Sequence, residues 1–132
     1  MKYILMIIFI MFSFSASAAE YGKASYYWQP QGIACGKGRY NPHGMTAAHM
    51  TLPCGSKVRV TNQRNGKSVV VTINDRGPYI KGRIIDMSLA SAKILGMTKA
   101  GVVPVKVEVL EYGKKKKKKS KKKSKKRYAK KA

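Results

Sequence analysis

Apolar and polar residues alternate with a period of two in three stretches of this chain, the spacing of a strand with one buried face. Residues 57–62 (KVRVTN) set Val58 and Val60 against Arg59 and Thr61. Residues 68–75 (SVVVTIND) place Val69, Val71 and Ile73 on one face, and residues 102–111 turn Val105, Val107 and Val109 inward against Lys106 and Glu108. Asn65-Gly66 between the first two is a strong hairpin signal, so those strands pair antiparallel. Residues 23–28 (KASYYW) form an aromatic, β-favouring strand that Pro30 and Gly32 end. Helical spacing occurs once: Leu89, Ala92 and Leu95 share a face, Ser88 caps the start and Gly96 stops it. Residues 83–86 are a short apolar approach to that helix. Residues 29–44, rich in Gly, Pro and Asn, form a long loop, and Leu52-Pro53-Cys54-Gly55 a turn. Several short strands, crossing loops and one short helix predict a mainly β protein, a small closed barrel.

The two ends have a different character. Residues 1–19 read as an export signal peptide: Lys2 precedes the apolar run from Ile4 to Phe14, and Ala16, Ser17, Ala18 and Ala19 follow it. The competing reading, a membrane anchor, is weakened by Ser13, Ser15 and Ser17, which cut the apolar run below the roughly 20 residues a span needs. Half of the 28 lysines and arginines lie beyond Gly113, in residues 114–132, against only 5 acids in the whole chain. Such a run repels itself and has almost nothing apolar to bury, so a disordered arm is expected. Residues 20–113 remain as one domain, an exported periplasmic or extracellular product. The arm's lysines suit polyanions, whether anionic wall polymers, lipid or nucleic acid, or serve only to solvate.

Cys35 and Cys54 both fall in the exported part, where an oxidising compartment favours a disulfide between them. A Cys-based zinc site is the alternative, but no CxxC pair is present and no metal or other cofactor is expected. Among the five acids, Asp75 and Asp86 sit at strand ends beside turns in the middle of the domain, which makes them the acid/base candidates. Either also suits a structural role, and Asp86, just ahead of the helix start, has a capping role ready. His49 is a lone histidine that fits packing as well as chemistry. Tyr26, Tyr27 and Trp28 suit a sugar-stacking groove or the barrel core equally.

A longer pattern joins these pieces. Gly22, Ala24, Ser25 and Tyr27, then Tyr40-Asn41, Thr46-Ala47-Ala48-His49 with Leu52-Pro53 and Gly55, Val58 to Asn62, Asn74-Asp75-Arg76-Gly77-Pro78, Arg83, Ile85-Asp86 and Ser88 resemble the rare lipoprotein A (RlpA) family. The likeness runs in order from Gly22 to Leu110. It implies a six-stranded double-psi β-barrel with one short helix, and a lytic transglycosylase acting on peptidoglycan glycan strands as a monomer. It implies catalytic roles for Asp75 and His49, and a substrate-binding set of Tyr27, Tyr40, Asn41, Thr46, Asn74, Arg76, Arg83 and Asp86. One carboxyl suffices for such a reaction, because the nucleophile is the substrate's own C6 hydroxyl and no water needs activating.

Two departures stand out. Catalytic members carry a glutamate where this chain has Gly38, and many carry a glycan-binding domain where only the lysine-rich arm follows here. The cysteines and the missing glutamate bring the chain nearer to expansins, which implies the alternative of a non-catalytic wall-binding module.

Overall fold

The computed structural model describes residues 18–28, 32–36 and 38–114; residues 1–17 of the expected signal peptide and 115–132 of the expected arm lie outside the described residues. Six strands and one helix follow in the order β1 (Ala19–Tyr27), β2 (Thr46–His49), β3 (Lys57–Asn62), β4 (Ser68–Asp75), β5 (Arg83–Ser88), α1 (Leu89–Ile94) and β6 (Val103–Glu111). They close into a barrel in the order β1-β5-β2-β4-β3-β6, with β6 returning to β1. Closure pairs both sides of every strand, so no backbone edge is left open.

The alternating stretches behave as their pattern predicts. β3 and β4 pair antiparallel from Lys57↔Thr72 to Thr61↔Ser68, and Gly66 takes the left-handed conformation that the turn between them requires. Val58, Val60, Val71, Ile73, Val105 and Val107 meet in the core with Ala24, Ala47, Ile85 and Met87. Ala92, Leu95 and Met97 close one side of that core. α1 starts at Ser88, whose Oγ accepts from Ser91 N at 3.3 Å. The carbonyl of its C-cap Leu95 is held from the β3–β4 hairpin, where buried Asn62 and exposed Asn65 each donate to Leu95 O at 2.9 Å. Asp86 does not cap the helix as its position suggested; it lies within β5, and Ser88 alone has that role.

Two elements depart from the pattern. β1 starts at Ala19, because its first half pairs with β6 from Ala19↔Glu108 to Ala24↔Val103. β2 has only four residues, too few for a visible period, and gets its strand geometry from its neighbours: parallel to β4, antiparallel to β5. Each of the two parallel pairs, β1·β5 and β2·β4, carries a register shift. Lys23↔Arg83 is followed by Ala24↔Ile85, and Ala47↔Ile73 by Ala48↔Asp75, so Ile84 and Asn74 are extra residues in their ladders.

Cys35 and Cys54 form the expected disulfide, with Cα atoms 5.6 Å apart and a sequence separation of 19. It fastens the long loop after β1 to the turn before β3, and Cys35 N also donates to Asn74 O at 3.1 Å. Replacing both cysteines by serine should lower unfolding stability by about 3 kcal/mol, the chain-entropy value for a loop of this length. Urea unfolding of oxidised wild type and the double variant measures it; equal midpoints would show that the loop is held without the covalent tie.

Candidate active site

The register shift at Asn74 decides where Asp75 points. Side chains alternate along a strand, so an unbroken β4 would send Asp75 to the same side as Val71 and Ile73, into the core. The extra residue resets the alternation, and Asp75 instead stands beside Ala48 in the ladder. On the other side of Ala48 stands Asp86, and Asp86 is paired in turn with Ser25 of β1. Ser25, Asp86, Ala48 and Asp75 thus form one row across four adjacent strands, on the face opposite the core-facing Ala47 and Met87 and largely covered. Met87 and Ala47, one position along, face the core.

Asp75 is 6% exposed. Its Oδ1 accepts from two amides, Ala34 N and Arg76 N, each at 2.9 Å. Oδ2 accepts no hydrogen bond among the described residues. The donor at Ala34 is next to Cys35, so the disulfide-tied loop reaches over the carboxylate. Asp86 accepts from Ser25 Oγ at 3.3 Å. Burial pushes its carboxyl up to about 6 from the ordinary 3.8; the Ser25 hydrogen bond and the Arg83 charge act against that rise, and the Asp75 charge adds to it.

Two tyrosines wall the row. The rings of Tyr27 and Tyr40 lie 4.1 Å apart, centre to centre, and the Tyr40 hydroxyl donates to Tyr27 O and accepts from Leu89 N. Burial, reinforced first by the charge of Asp75 and also by that of Asp86, pushes the Tyr27 phenol up. Its hydroxyl faces Asp75 without closing a hydrogen bond of good geometry, and it has no partner among the described residues. Burial likewise raises the Tyr40 phenol. Thr46 Oγ1 and Asn74 Oδ1 are also buried with no partner among the described residues. Unpaired buried polar atoms cost stability, and they mark places where a polar ligand can complete the bonding.

Several expected site residues have other work. The His49 ring does not reach Asp75. It is buried, its Nδ1 accepts from Thr51 N and Leu52 N at 3.2 and 3.1 Å, and its Nε2 faces Glu20 Oε2 at 2.9 Å. With Nδ1 occupied as an acceptor, Nε2 carries the proton and donates to Glu20. Arg76 is turned away from any groove ligand: its Nη1 donates to Leu52 O and to His49 O, the latter at 3.0 Å, and Nη2 lies 3.4 Å from Cys54 Sγ. Asn41 is exposed and accepts from His43 N at 2.9 Å, forming a local turn. Arg83 stays close enough to Asp86 to act on its charge. The aromatic trio divides: Tyr26 packs on the core with its hydroxyl on Thr98 O, Tyr27 walls the site, and Trp28 is 63% exposed. Ser25, Ala34, Ala48 and Glu20 join the assembly through strand register and loop closure, which no local sequence signal announces.

The profile of the lytic transglycolase family matches residues 19–107. The chain belongs to that family. It is 52% identical over 101 residues to a probable endolytic peptidoglycan transglycosylase RlpA of a Nostoc species, covering 76% of this chain and 27% of that protein. It is 52% identical over 93 residues to the endolytic peptidoglycan transglycosylase RlpA of Pseudomonas aeruginosa, covering 68% and 27%. Against the Vibrio cholerae protein of the same name the identity is 50% over 97 residues, covering 72% and 37%. The chain therefore spans about a quarter to a third of the length of these relatives. Among solved structures, Streptomyces papain inhibitor aligns with a TM-score of 0.59 at 24% identity, covering 71% of this chain and 96% of that one. An expansin of Clavibacter michiganensis aligns with a TM-score of 0.53 at 19% identity, covering 74% and 53%. These likenesses fit the double-psi β-barrel.

The Asp86 carboxyl has a defined signature in stability. The unfolded chain releases this proton near pH 3.8 and the folded chain near 6, so stability falls as pH rises through that window and the loss is complete above it. Asp86→Asn should therefore be more stable than wild type by about 1–2 kcal/mol at pH 7, allowing for solvent screening, and no more stable below about pH 4. Urea unfolding at the two pH values tests this; a pH-independent difference would mean that the carboxyl carries no burial penalty.

Proposed function

We propose that the protein is an exported lytic transglycosylase that cleaves peptidoglycan glycan strands between N-acetylmuramic acid and N-acetylglucosamine, leaving a 1,6-anhydromuramoyl end. The reading rests on family membership together with one observation: Asp75 stands in a row with Ser25 and Asp86 on the face opposite the core, with Oδ1 pinned by two amides and Oδ2 accepting no hydrogen bond among the described residues. A carboxyl held in this way can exchange a proton at Oδ2 without losing its orientation. The reaction needs a proton delivered to the bridging oxygen and one removed from the muramoyl C6 hydroxyl as that oxygen attacks C1. No water takes part in the bond change, so the site needs no second carboxylate placed to activate one.

In this reading the glycan's hydroxyls and acetamido groups supply Tyr27, Thr46 and Asn74 with the partners that their buried atoms lack among the described residues. Tyr40 holds Tyr27, and Arg83 and Asp86 form the far wall. His49 and Arg76 are positioning residues. Arg76 ties the turn after β2 to the strand end that carries Asp75, and His49 holds that same turn through two of its amides. Residues 1–19 would direct export and be removed, residues 20–113 form the working domain, and the arm from residue 114 holds the protein on anionic wall polymer or lipid. The domain acts as a monomer.

Gly38, where catalytic members have a glutamate, favours the second reading, an expansin-like module that binds glycan without cutting it. The two readings differ in product. Wild type should release anhydromuropeptides from peptide-free glycan strands, detected by mass spectrometry, and Asp75→Asn should lower the rate at least ~100-fold while still binding the strands. Equal binding by both proteins with no product from either would favour the binding module.

Thr46→Val separates binding from folding. It removes a buried hydroxyl that has no partner among the described residues, so unfolding stability should be unchanged or rise slightly, while KM for glycan increases several-fold, by roughly the worth of one hydrogen bond. An unchanged KM would place Thr46 outside the glycan site.

A further inference from the structure

The bond between Cys35 and Cys54 fastens a segment that has little else to hold it. Of residues 32–36, Gly32, Ala34 and Gly36 are exposed, and Ile33 and Cys35 are half-buried. Among the described residues the segment makes two hydrogen bonds to the barrel, Ala34 N to Asp75 Oδ1 at 2.9 Å and Cys35 N to Asn74 O at 3.1 Å. Each is worth little net in water, and ordering such a stretch of backbone costs more than two such bonds return. The disulfide makes up the difference by tying the segment to Cys54.

What the segment holds is the carboxylate at the centre of the site. Two amides fix Asp75 Oδ1. Arg76 N belongs to the next residue and stays beside Asp75 whatever the loop does. Ala34 N comes from 41 residues away and is carried by the neighbour of Cys35. One of the two donors that aim Asp75 is therefore delivered by the disulfide.

The sulfur at the other end is placed for exchange. Cys54 is exposed, and Arg76 Nη2 lies 3.4 Å from its Sγ. A guanidinium this close favours a thiolate over a thiol, so Cys54 is a ready leaving group when it is displaced. The turn that carries Cys54 has ties of its own: Arg76 Nη1 to Leu52 O, Ser56 N to Pro53 O at 3.0 Å and Gly55 N to Ile73 O at 2.7 Å. Breaking the disulfide releases the Cys35 side and leaves the Cys54 side where it is.

We propose that this disulfide is an exchange site for an exported dithiol protein, and that its oxidised form is the one in which Asp75 is aimed for proton transfer. The switch rests on the transglycosylation proposed above and controls it. A thiolate of the dithiol attacks Cys54 Sγ, the bond to Cys35 breaks, and the electron pair leaves with Cys35 Sγ, which takes a proton from solvent. The dithiol's second thiolate then attacks its own sulfur in the mixed disulfide and releases Cys54 as a thiolate beside Arg76. Two electrons pass to this protein, and the dithiol becomes a disulfide. The reverse exchange, from a disulfide partner, restores the bond and returns Ala34 N to Asp75.

The test uses the full chain on peptide-free glycan, with dithiothreitol as the dithiol and anhydro product read by mass spectrometry. Far-ultraviolet circular dichroism follows the fold, and mass after alkylation counts the thiols. Reduction should proceed without denaturant, leave the barrel folded and lower kcat roughly 10- to 100-fold with little change in KM, the effect of a misplaced acid/base group. Reoxidation should restore the rate. The double variant Cys35→Ser, Cys54→Ser should show the reduced rate with or without dithiothreitol. Ala34→Pro keeps the disulfide and removes the amide donor, so it should be slow when oxidised and lose little more on reduction.

The switch is overturned if the bond resists dithiothreitol in the folded protein, if the reduced protein stays within about threefold of the oxidised rate, or if Ala34→Pro keeps the oxidised wild-type rate. Loss of the barrel on reduction overturns it as well, because a bond on which the whole fold depends is a staple and gates nothing. In each of these cases product from oxidised wild type keeps the transglycosylation standing. No anhydro product from oxidised wild type overturns the reaction and the switch together.

Discussion

One extra residue in a strand ladder governs the chemistry of this molecule. The barrel lines its core with Val71 and Ile73 of β4, and an unbroken ladder would set Asp75 on that same apolar side. Burying an ionised carboxylate unpaired is far costlier than distorting one ladder position. The shift at Asn74 pairs Asp75 with Ala48 instead, and two amides receive its buried carboxylate. It leaves Asn74 Oδ1 buried without a partner among the described residues, a local cost at a position the proposed glycan would cover.

The groove is held by ties that converge from distant parts of the sequence. The disulfide brings the loop after β1 over Asp75 so that Ala34 N can reach it. Arg76 uses its guanidinium on Leu52 O and His49 O, and its own amide on Asp75. His49, the last residue of β2, holds two more amides and meets Glu20 of β1, two strands away around the barrel. Mutating any of these groups would be expected to disturb the carboxylate without removing it. A polar residue near an acid is therefore a poor guide to whether it touches substrate.

Much of the fold can be read from the chain because its physical causes are local. Val58, Val60, Val71, Ile73, Val105 and Val107 alternate with polar residues, and Asn65-Gly66 marks the hairpin; all enter the structure as their pattern implies. β2 was invisible to that reasoning, since four residues carry no period and its geometry comes from the two strands beside it. The start of β1 was missed for a similar reason: Ala19 to Gly22 become strand through pairing with β6. The site follows the same division. Asp75, Asp86, Tyr27, Tyr40, Thr46 and Asn74 converge on one region, and the motifs that named them are intact. The assigned jobs were less readable. Arg76, Asn41 and the His49 ring are committed to backbone groups, and the sharing of Ala48 by two acids depends on registers that no run of residues encodes.

Ala48 itself has a larger consequence than its size suggests. It stands between the two acids in the ladder, and its methyl group lies 3.9 Å from where a side chain on Gly77 would begin. Both positions are therefore held at the smallest practical volume, one by its place in the ladder and the other also by its left-handed backbone, φ +134°. For the proposed glycan, together they set how deep a strand of sugar can settle. A branched residue at either would raise the floor of the groove while leaving every charged group where it is, so the depth of this cleft and its charge are controlled by separate residues.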